Sequence, residues 1–375
     1  MRYADESRRS PLVQRLLHLR NVRWRVRPIA PATKLQLGAP ANRPERRLPI
    51  LLSRSCTRSE AIVSRQTAGP CSRRRFLELS VLSGTAAVLP YPGAAADGLG
   101  PLITKPIPAS GEKLPVMGIG TNQFGRVPYE DVRAILQRMQ QLGGSVIDTA
   151  ALYGESEVQI GKALTELKLT SKMFIATKLN APGGRGDGVG GLASFERSVQ
   201  RLQKVDLLLI HFVDSVEAMM PMVTDLKKQG KVRYIGITSI RSPQYPQLLE
   251  YMRKYPMDFL QVNYSLGDRA AEAEVLPLAQ ERKIAVMAAV PLGGGRNLLI
   301  KQTGDRQLPS WAAQFGIASW SQFFLKYVVS HPAISCAIPG SSKLEHLEDN
   351  QAAGHGDLPD AQARRKMEAF WAQSS

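Results

Sequence analysis

The chain has 375 residues, of which 43% are hydrophobic, enough for one large domain or two of ordinary size. Its formal net charge of +17 is concentrated at the N-terminus: residues 1–75 carry +14 and residues 76–375 carry only +3. A nucleic-acid-binding face needs its basic residues on the folded part of the chain, so the charge distribution argues against a nucleic-acid partner.

The three cysteines indicate neither a disulfide framework nor a metal site. Cys56 and Cys71 precede the globular region, and Cys336 lies alone in an apolar segment. No CxxC pair or Cys/His cluster at metal-ligand spacing occurs. We therefore expect no metal.

An export signal is indicated between residues 72 and 96. Arg73 and Arg74 precede Phe76-Leu77, an apolar run follows at residues 79–89, and Ala94-Ala95-Ala96 supplies small residues for cleavage. This layout resembles a twin-arginine signal, which implies the Tat translocon as a partner and a periplasmic or exported location. The apolar run is too short for a span of about 20 residues, so we expect no permanent membrane span.

The 71 residues before this signal are unexpected, because export signals normally stand at the N-terminus. We expect residues 1–71 to be a disordered or misannotated extension, with translation starting at a codon such as that of Val63. Residues 72–96 are then the signal peptide, and residues 97–375 form the folded domain.

From residue 114 onward, short apolar runs alternate with amphipathic stretches. The predicted strands are residues 114–121, 145–150, 173–179, 206–212, 234–239, 259–265, 284–291 and 334–340. The predicted helices are residues 129–142, 156–167, 193–203, 217–229, 243–254, 270–283, 319–330 and 345–353, with a further C-terminal helix at 360–372 that docks on the domain. An open doubly wound sheet usually stops at five to seven strands, so eight units favour an α/β fold of the (β/α)8 TIM-barrel type.

Four reactive side chains lie at or just after the ends of three consecutive predicted strands. Asp148 ends the second strand and leads to Tyr153, Lys178 ends the third, and His211 ends the fourth. In a barrel these positions share one mouth. A tyrosine beside an ammonium becomes a better proton donor, a carboxylate holds the ammonium, and a neutral histidine orients a carbonyl oxygen. Any one residue alone has an ordinary structural explanation, but the four together indicate carbonyl chemistry with a reducing cofactor.

Several segments in order resemble the aldo-keto reductase family. They are IDTAALYGESE at 147–157, IATK at 175–178, LLIH at 208–211, GKVRYIGITS at 230–239, QVNY at 261–264, and IPGSSK at 338–343 with Asn350. The resemblance implies that Tyr153 is the general acid, that Asp148 and Lys178 tune it, and that His211 positions the carbonyl of a small substrate.

The same resemblance implies where a nicotinamide cofactor binds. Thr121 is one expected cofactor contact, and Thr238 or Ser239, together with Gln261, is expected to hydrogen-bond the nicotinamide carboxamide. The other expected contacts are Leu292, Gly293 and Arg296 along the pyrophosphate, and Ser341, Lys343, His346 and Asn350 at the adenosine 2′-phosphate and adenine. A lysine there favours NADPH. NADH remains possible, because His346 and Gly340 stand where the family often has cationic residues, and Ala288-Ala289-Val290-Pro291 lacks its frequent aromatic.

Two alternatives stay open. The barrel could bind NADPH and serve as a sensing or scaffolding subunit, or Lys178 could form a Schiff base in a lyase. The GxGxxG pattern at residues 186–191 does not follow its strand directly, so we interpret it as a loop over the barrel mouth and not as a dinucleotide-binding turn.

Overall fold

The alternating segments build a barrel in a computed structural model, which describes residues 98–183, 190–294 and 298–373. The predicted leader and residues 184–189 lie outside the described residues, as does Arg296. Residues 98–100 lead into an antiparallel hairpin of β1 (Thr104–Pro106) and β2 (Lys113–Pro115). Ile107 and Leu114 of this hairpin are buried in the apolar cluster inside the barrel, which includes the first residues Val146, Phe174, Leu207 and Tyr234 of four strands, so the hairpin covers the N-terminal end of the barrel.

Eight parallel strands follow in the sheet order β10-β9-β8-β7-β6-β5-β4-β3. They are β3 (Ile119–Gly120), β4 (Val146–Asp148), β5 (Phe174–Leu179), β6 (Leu207–Ile210), β7 (Tyr234–Ser239), β8 (Phe259–Asn263), β9 (Ala285–Ala289) and β10 (Ile334–Ala337). Bridges from Met117 to Ala337 and from Gly120 to Gly340 join the two outer strands. The sheet thus closes into the predicted (β/α)8 barrel.

The first predicted strand, 114–121, differs from the structure because its two halves pair with different partners. Lys113–Pro115, which is β2, pairs with β1 of the hairpin, whereas Ile119–Gly120, which is β3, pairs with β4. The change of partner therefore falls between Pro115 and Ile119.

Helices surround the barrel. They are α1 (Tyr129–Gln141), α2 (Ser156–Glu166), α3 (Gly191–Leu202), α4 (Val216–Lys228), α5 (Tyr245–Lys254), α6 (Val275–Glu281), α7 (Leu298–Gln302), α8 (Trp320–Val329), α9 (Leu344–Ala352) and α10 (Ala361–Ala372). Helix α6 begins later than predicted, and a separate 3-10 turn covers Ala270–Glu272. Pro277 is the third residue of α6, in the first turn, where a backbone amide has no partner within the helix and proline costs no hydrogen bond.

The core has two layers. Inside the barrel, Val146, Phe174, Leu207 and Phe259 are buried; outside it, the strands pack against the apolar faces of the helices. Helix α10 packs on this outer layer through Met367 and Trp371, as predicted. Among the described residues, the helices are all too short or too polar to cross a membrane.

Candidate active site

The parallel strands bring three of the predicted side chains to the C-terminal end of the barrel. Asp148 is the last residue of β4, Lys178 is the penultimate residue of β5, and His211 follows β6 directly. Tyr153 lies in the loop that turns from β4 toward α2, where its amide donates to the Ala150 carbonyl. The four residues, called the quartet below, therefore share one mouth.

Asp148 and Lys178 form a buried ion pair at the centre of the quartet. The Lys178 Nζ lies 2.8 Å from Asp148 Oδ1, 2.7 Å from Asp148 Oδ2 and 2.8 Å from the Thr149 carbonyl oxygen. Their side chains are 2% and 5% exposed, so water screens the pair little. Burial opposes the charge on Lys178, but the attraction of Asp148 and Tyr153 outweighs burial and raises the pKa of Lys178 above its ordinary value. The lysine is thus held as an ammonium.

Tyr153 lies within reach of this ammonium. The Lys178 Nζ is 5.1 Å from the centre of the Tyr153 ring, and a hydrogen bond to the tyrosine is among the contacts that raise the pKa of Lys178. The Tyr153 ring also meets the His211 ring edge-on, with centroids 5.9 Å apart at 82°. The phenol thus stands between an ammonium and an imidazole.

His211 is held in its neutral form. Burial, together with the charge of Lys178, lowers the pKa of His211 to about 3. Its Nδ1 is buried and has no hydrogen-bond partner among the described residues. Its ring stacks on Phe212, with centroids 4.6 Å apart and planes 4° apart. Sequence reasoning missed Phe212, although an aromatic residue directly after a strand-end histidine is a signal that could have found it.

A polar bridge crosses the barrel lumen beneath the quartet. The Gln261 Nε2 donates to Asp148 Oδ1 at 2.8 Å, and its Oε1 accepts a hydrogen bond from Thr238 Oγ1 at 3.0 Å. In the strand order β8 lies four strands from β4, on the opposite wall of the barrel. Gln261 and Thr238 were predicted as cofactor contacts; the structure also connects them to the quartet.

Two further predicted cofactor contacts already bond within the protein. Thr121 is fully buried, donates from Oγ1 to the Asp148 carbonyl at 2.9 Å, and accepts from Ser156 Oγ at 3.0 Å. The Ser239 Oγ lies 3.4 Å from Gln244 Oε1. The hydroxyl of Thr121 thus stabilises the loop that carries Asp148.

The segment after β9 turns sharply. Val290 has φ +52°, and Gly293 and Gly294 have φ +86° and +63°. A β-branched residue in this left-handed region is strained. Of the predicted pyrophosphate contacts, Leu292 is buried and Gly293 is half-buried beside it, while Arg296 lies outside the described residues. The predicted mouth loop at 186–191 lies mostly outside them as well.

The predicted adenosine contacts lie in α9 or just before it. Ser341 and Asn350 are buried, and the Asn350 amide donates to Ser341 Oγ at 2.8 Å. Lys343 and His346 are exposed, and Lys343 precedes the first residue of α9. Lys343 Nζ lies 3.6 Å from Glu345 Oε1, which competes with any anion there. An exposed ammonium beside a helix N-terminus nevertheless has the chemistry that a phosphate group requires.

Comparison with known proteins identifies the family. Residues 116–369 match the family model described as the Aldo/keto reductase family. The chain belongs to this family. A relative, the methylglyoxal reductase YeaE of Escherichia coli, is 31% identical over 282 residues, which are 71% of this chain and 95% of the relative. Norsolorinic acid reductase B of Aspergillus parasiticus is 28% identical over 66% of this chain and 76% of the relative.

Solved structures agree with the aldo/keto reductase fold. A thermostable aldo-keto reductase in complex with the inhibitor epalrestat aligns with a TM-score of 0.59 and 27% identity, over 72% of this chain and all of that one. An aldo-keto reductase from Klebsiella pneumoniae in complex with NADPH aligns with a TM-score of 0.57 and 23% identity, over 72% of this chain and 96% of that one. As an aldo/keto reductase, the protein is an oxidoreductase. In the part of the chain that the structure describes, no group of three His, Cys, Asp or Glu side chains could hold a metal.

Proposed function

We propose that this aldo/keto reductase reduces aldehydes or ketones to alcohols with NADPH, and that Tyr153 is its general acid. The observation that carries the proposal is the buried ammonium of Lys178, held between Asp148 and Tyr153. An ammonium fixed beside a phenol stabilises the phenolate that remains after the phenol has given up its proton. NADPH, when bound, supplies the hydride that this chemistry needs.

The quartet supplies the proton that the carbonyl oxygen receives. As the carbonyl carbon gains hydride, negative charge develops on the carbonyl oxygen, and Tyr153 gives that oxygen its proton. Lys178 offsets the charge left on the Tyr153 oxygen, and Asp148 keeps Lys178 in place. His211 is neutral, so it can hydrogen-bond the carbonyl oxygen without adding a second full charge beside Lys178. A proton from solvent restores Tyr153 after each turnover.

The cofactor contacts are proposed on family resemblance and on the chemistry of the side chains. Thr238, Ser239 and Gln261 offer hydroxyl and amide groups to the carboxamide. Lys343 and His346 offer exposed nitrogen groups to a 2′-phosphate, which favours NADPH over NADH. The NADPH-bound relative from Klebsiella pneumoniae supports this choice.

The Schiff-base alternative is disfavoured by Lys178 itself. A lysine nucleophile needs a lowered pKa and a free amine. Here the pKa of Lys178 is raised, and its Nζ donates to Asp148 and to Thr149.

Substrate turnover tests the proposal. The name of the relative from Escherichia coli makes methylglyoxal the first carbonyl to assay, followed by an aromatic aldehyde. We expect NADPH to be consumed with at least one of them, and Tyr153→Phe to abolish consumption while NADPH still binds. Tight NADPH binding without turnover on a carbonyl panel would instead support a sensing or scaffolding subunit.

We also propose export by the Tat route to the periplasm. Support comes from the order of Arg73-Arg74, the apolar run at 79–89 and the small residues Ala94–Ala96. Because this route carries folded proteins, the cofactor can be bound before export. Cell fractionation tests the proposal: replacing Arg73 and Arg74 by lysine should leave the protein in the cytoplasm. A wild-type protein that stays cytoplasmic with its leader uncleaved would refute it.

A further inference from the structure

Gln261 makes a contact that binding a cofactor does not require. The residue is 2% exposed, and its side chain reaches across the lumen to a carboxylate 113 residues away in the chain. The Asp148 carboxylate receives donors from two sides, with Lys178 Nζ at 2.7–2.8 Å and Gln261 Nε2 at 2.8 Å. Two donors from different strands fix the orientation of a carboxylate better than a single donor does.

Thr238 fixes the orientation of the Gln261 amide in turn. The Thr238 hydroxyl donates to Gln261 Oε1 at 3.0 Å, which places the amide nitrogen on the side of Asp148. Thr238 and Gln261 are register partners on β7 and β8, so the rigid sheet sets their separation. A chain of donors therefore runs from Thr238 through Gln261 to Asp148.

We infer that Gln261 is a positioning residue for the quartet, which acts by holding Asp148 and, through it, the Lys178 ammonium beside Tyr153. The inference rests on the proposed reductase function. Because the Gln261 amide nitrogen carries two hydrogens, it can donate to Asp148 and to a cofactor carboxamide together. Gln261 thereby couples cofactor binding to the alignment of the proton donor.

The decisive comparison is between Gln261→Met and the control Met287→Leu. Methionine keeps the length of glutamine but cannot donate to Asp148, whereas Met287 is the β9 register partner of Gln261 and belongs to the apolar cluster in the lumen. We expect Gln261→Met to lower kcat about tenfold or more, the scale of a lost hydrogen bond to a charged group. The Kd for NADPH should change much less, and Met287→Leu should behave like wild type.

A double-mutant cycle with Asp148→Ala separates positioning from plain cofactor binding, because alanine leaves no oxygen there to accept from Gln261 Nε2. If Gln261 acts through Asp148, Gln261→Met should have little further effect on kcat in the Asp148→Ala background. Additive losses, or a loss confined to the NADPH Kd, would overturn the inference. If Gln261→Met does not fold, Thr238→Val tests the same chain of donors, with a smaller loss of kcat expected and the same non-additivity with Asp148→Ala.

A second measurement does not depend on turnover. Crystal structures of the wild type and of Gln261→Met give the positions of the Asp148 carboxylate and of Lys178 Nζ. We expect the carboxylate in Gln261→Met to turn away from its wild-type orientation and Lys178 Nζ to move with it, because one of the donors to Asp148 is lost. Unchanged positions would contradict the inference even if the wild type reduced no carbonyl, and a wild type without turnover would contradict only the proposed function.

Discussion

Gly161 of α2 lies directly against the backbone of Arg201 in α3. A Cβ atom at position 161 would stand 1.7 Å from the Arg201 carbonyl oxygen, well inside any permitted contact. The two helices are also joined by the ion pair between the Arg201 guanidinium and the buried carboxylate of Glu157, at 3.3 Å. Alanine normally favours a helix interior over glycine by roughly 1 kcal/mol. Here the clash is with backbone, which cannot rotate away.

We therefore expect Gly161→Ala to destabilise the protein by about 3 kcal/mol, the upper range for overpacking. Urea unfolding monitored by circular dichroism measures the change. Gly340→Ala is the matched control, because the nearest atom to a Cβ there is 3.8 Å away. A Gly161→Ala variant as stable as this control would show that α2 and α3 can separate without cost.

The kcat of reduction should not fall through protonation of His211 as the pH is lowered toward about 5. Burial and Lys178 lower the pKa of His211 to about 3, so this residue keeps its neutral form as the pH falls from 8 to about 5. We expect kcat to stay constant over that interval. Measurement in overlapping buffers checks this, with His211→Gln as the comparison. A fall in activity near pH 6.5 that disappears in His211→Gln would contradict the neutral assignment.

The barrel could be predicted because short, mostly apolar segments alternate with amphipathic helices along the chain. The bounds of β7, Tyr234–Ser239, were predicted without error. The quartet could be predicted because its members follow consecutive strands, and the barrel places those strand ends together.

Contacts across the lumen could not be predicted in this way. Asp148 and Gln261 lie on opposite walls, and no periodicity along the chain reports which side chains meet inside a closed barrel. The split of the first predicted strand has a similar cause. Lys105 next to β2 donates to the carbonyls of Val329, His331 and Ile334, so distant residues fix where the hairpin lies.

Acid should destabilise the fold through His331. Burial, followed by the charge of Arg364, lowers the pKa of His331 to about 4 from 6.5. The unfolded chain thus binds a proton below pH 6.5 that the folded chain does not, and the free energy of unfolding falls with pH until about pH 4. The loss from this residue is at most about 3 kcal/mol, at 1.36 kcal/mol per pKa unit.

His331→Gln removes this titration while its amide can still accept the hydrogen bond from the Ala333 amide, 3.1 Å from His331 Nδ1. We expect the free energy of unfolding of the variant to fall less between pH 7 and pH 4 than that of the wild type. Urea titrations at both pH values give the difference. Equal losses in the two proteins would show that His331 becomes protonated in the fold without penalty.

Arg364 fastens the C-terminal helix to the barrel. Its Nη2 donates to Tyr264 Oη at 2.8 Å and lies 3.3 Å from Glu272 Oε1, and its guanidinium stacks 4.1 Å from the centre of the Tyr327 ring. Removing one partner of a buried ion pair leaves the other charge without compensation. We expect Arg364→Met to cost about 3 kcal/mol of stability, since breaking a buried pair costs about 3–5 kcal/mol and Glu272 is partly exposed.

Hydrogen exchange should show the loss of Arg364 first in α10, because Arg364 lies in this helix and its partners Tyr264, Glu272 and Tyr327 do not. Arg365, exposed on the same helix, provides the control, and Arg365→Met should leave both stability and exchange unchanged. Uniform exchange across the barrel in Arg364→Met would mean that α10 unfolds only together with the whole domain.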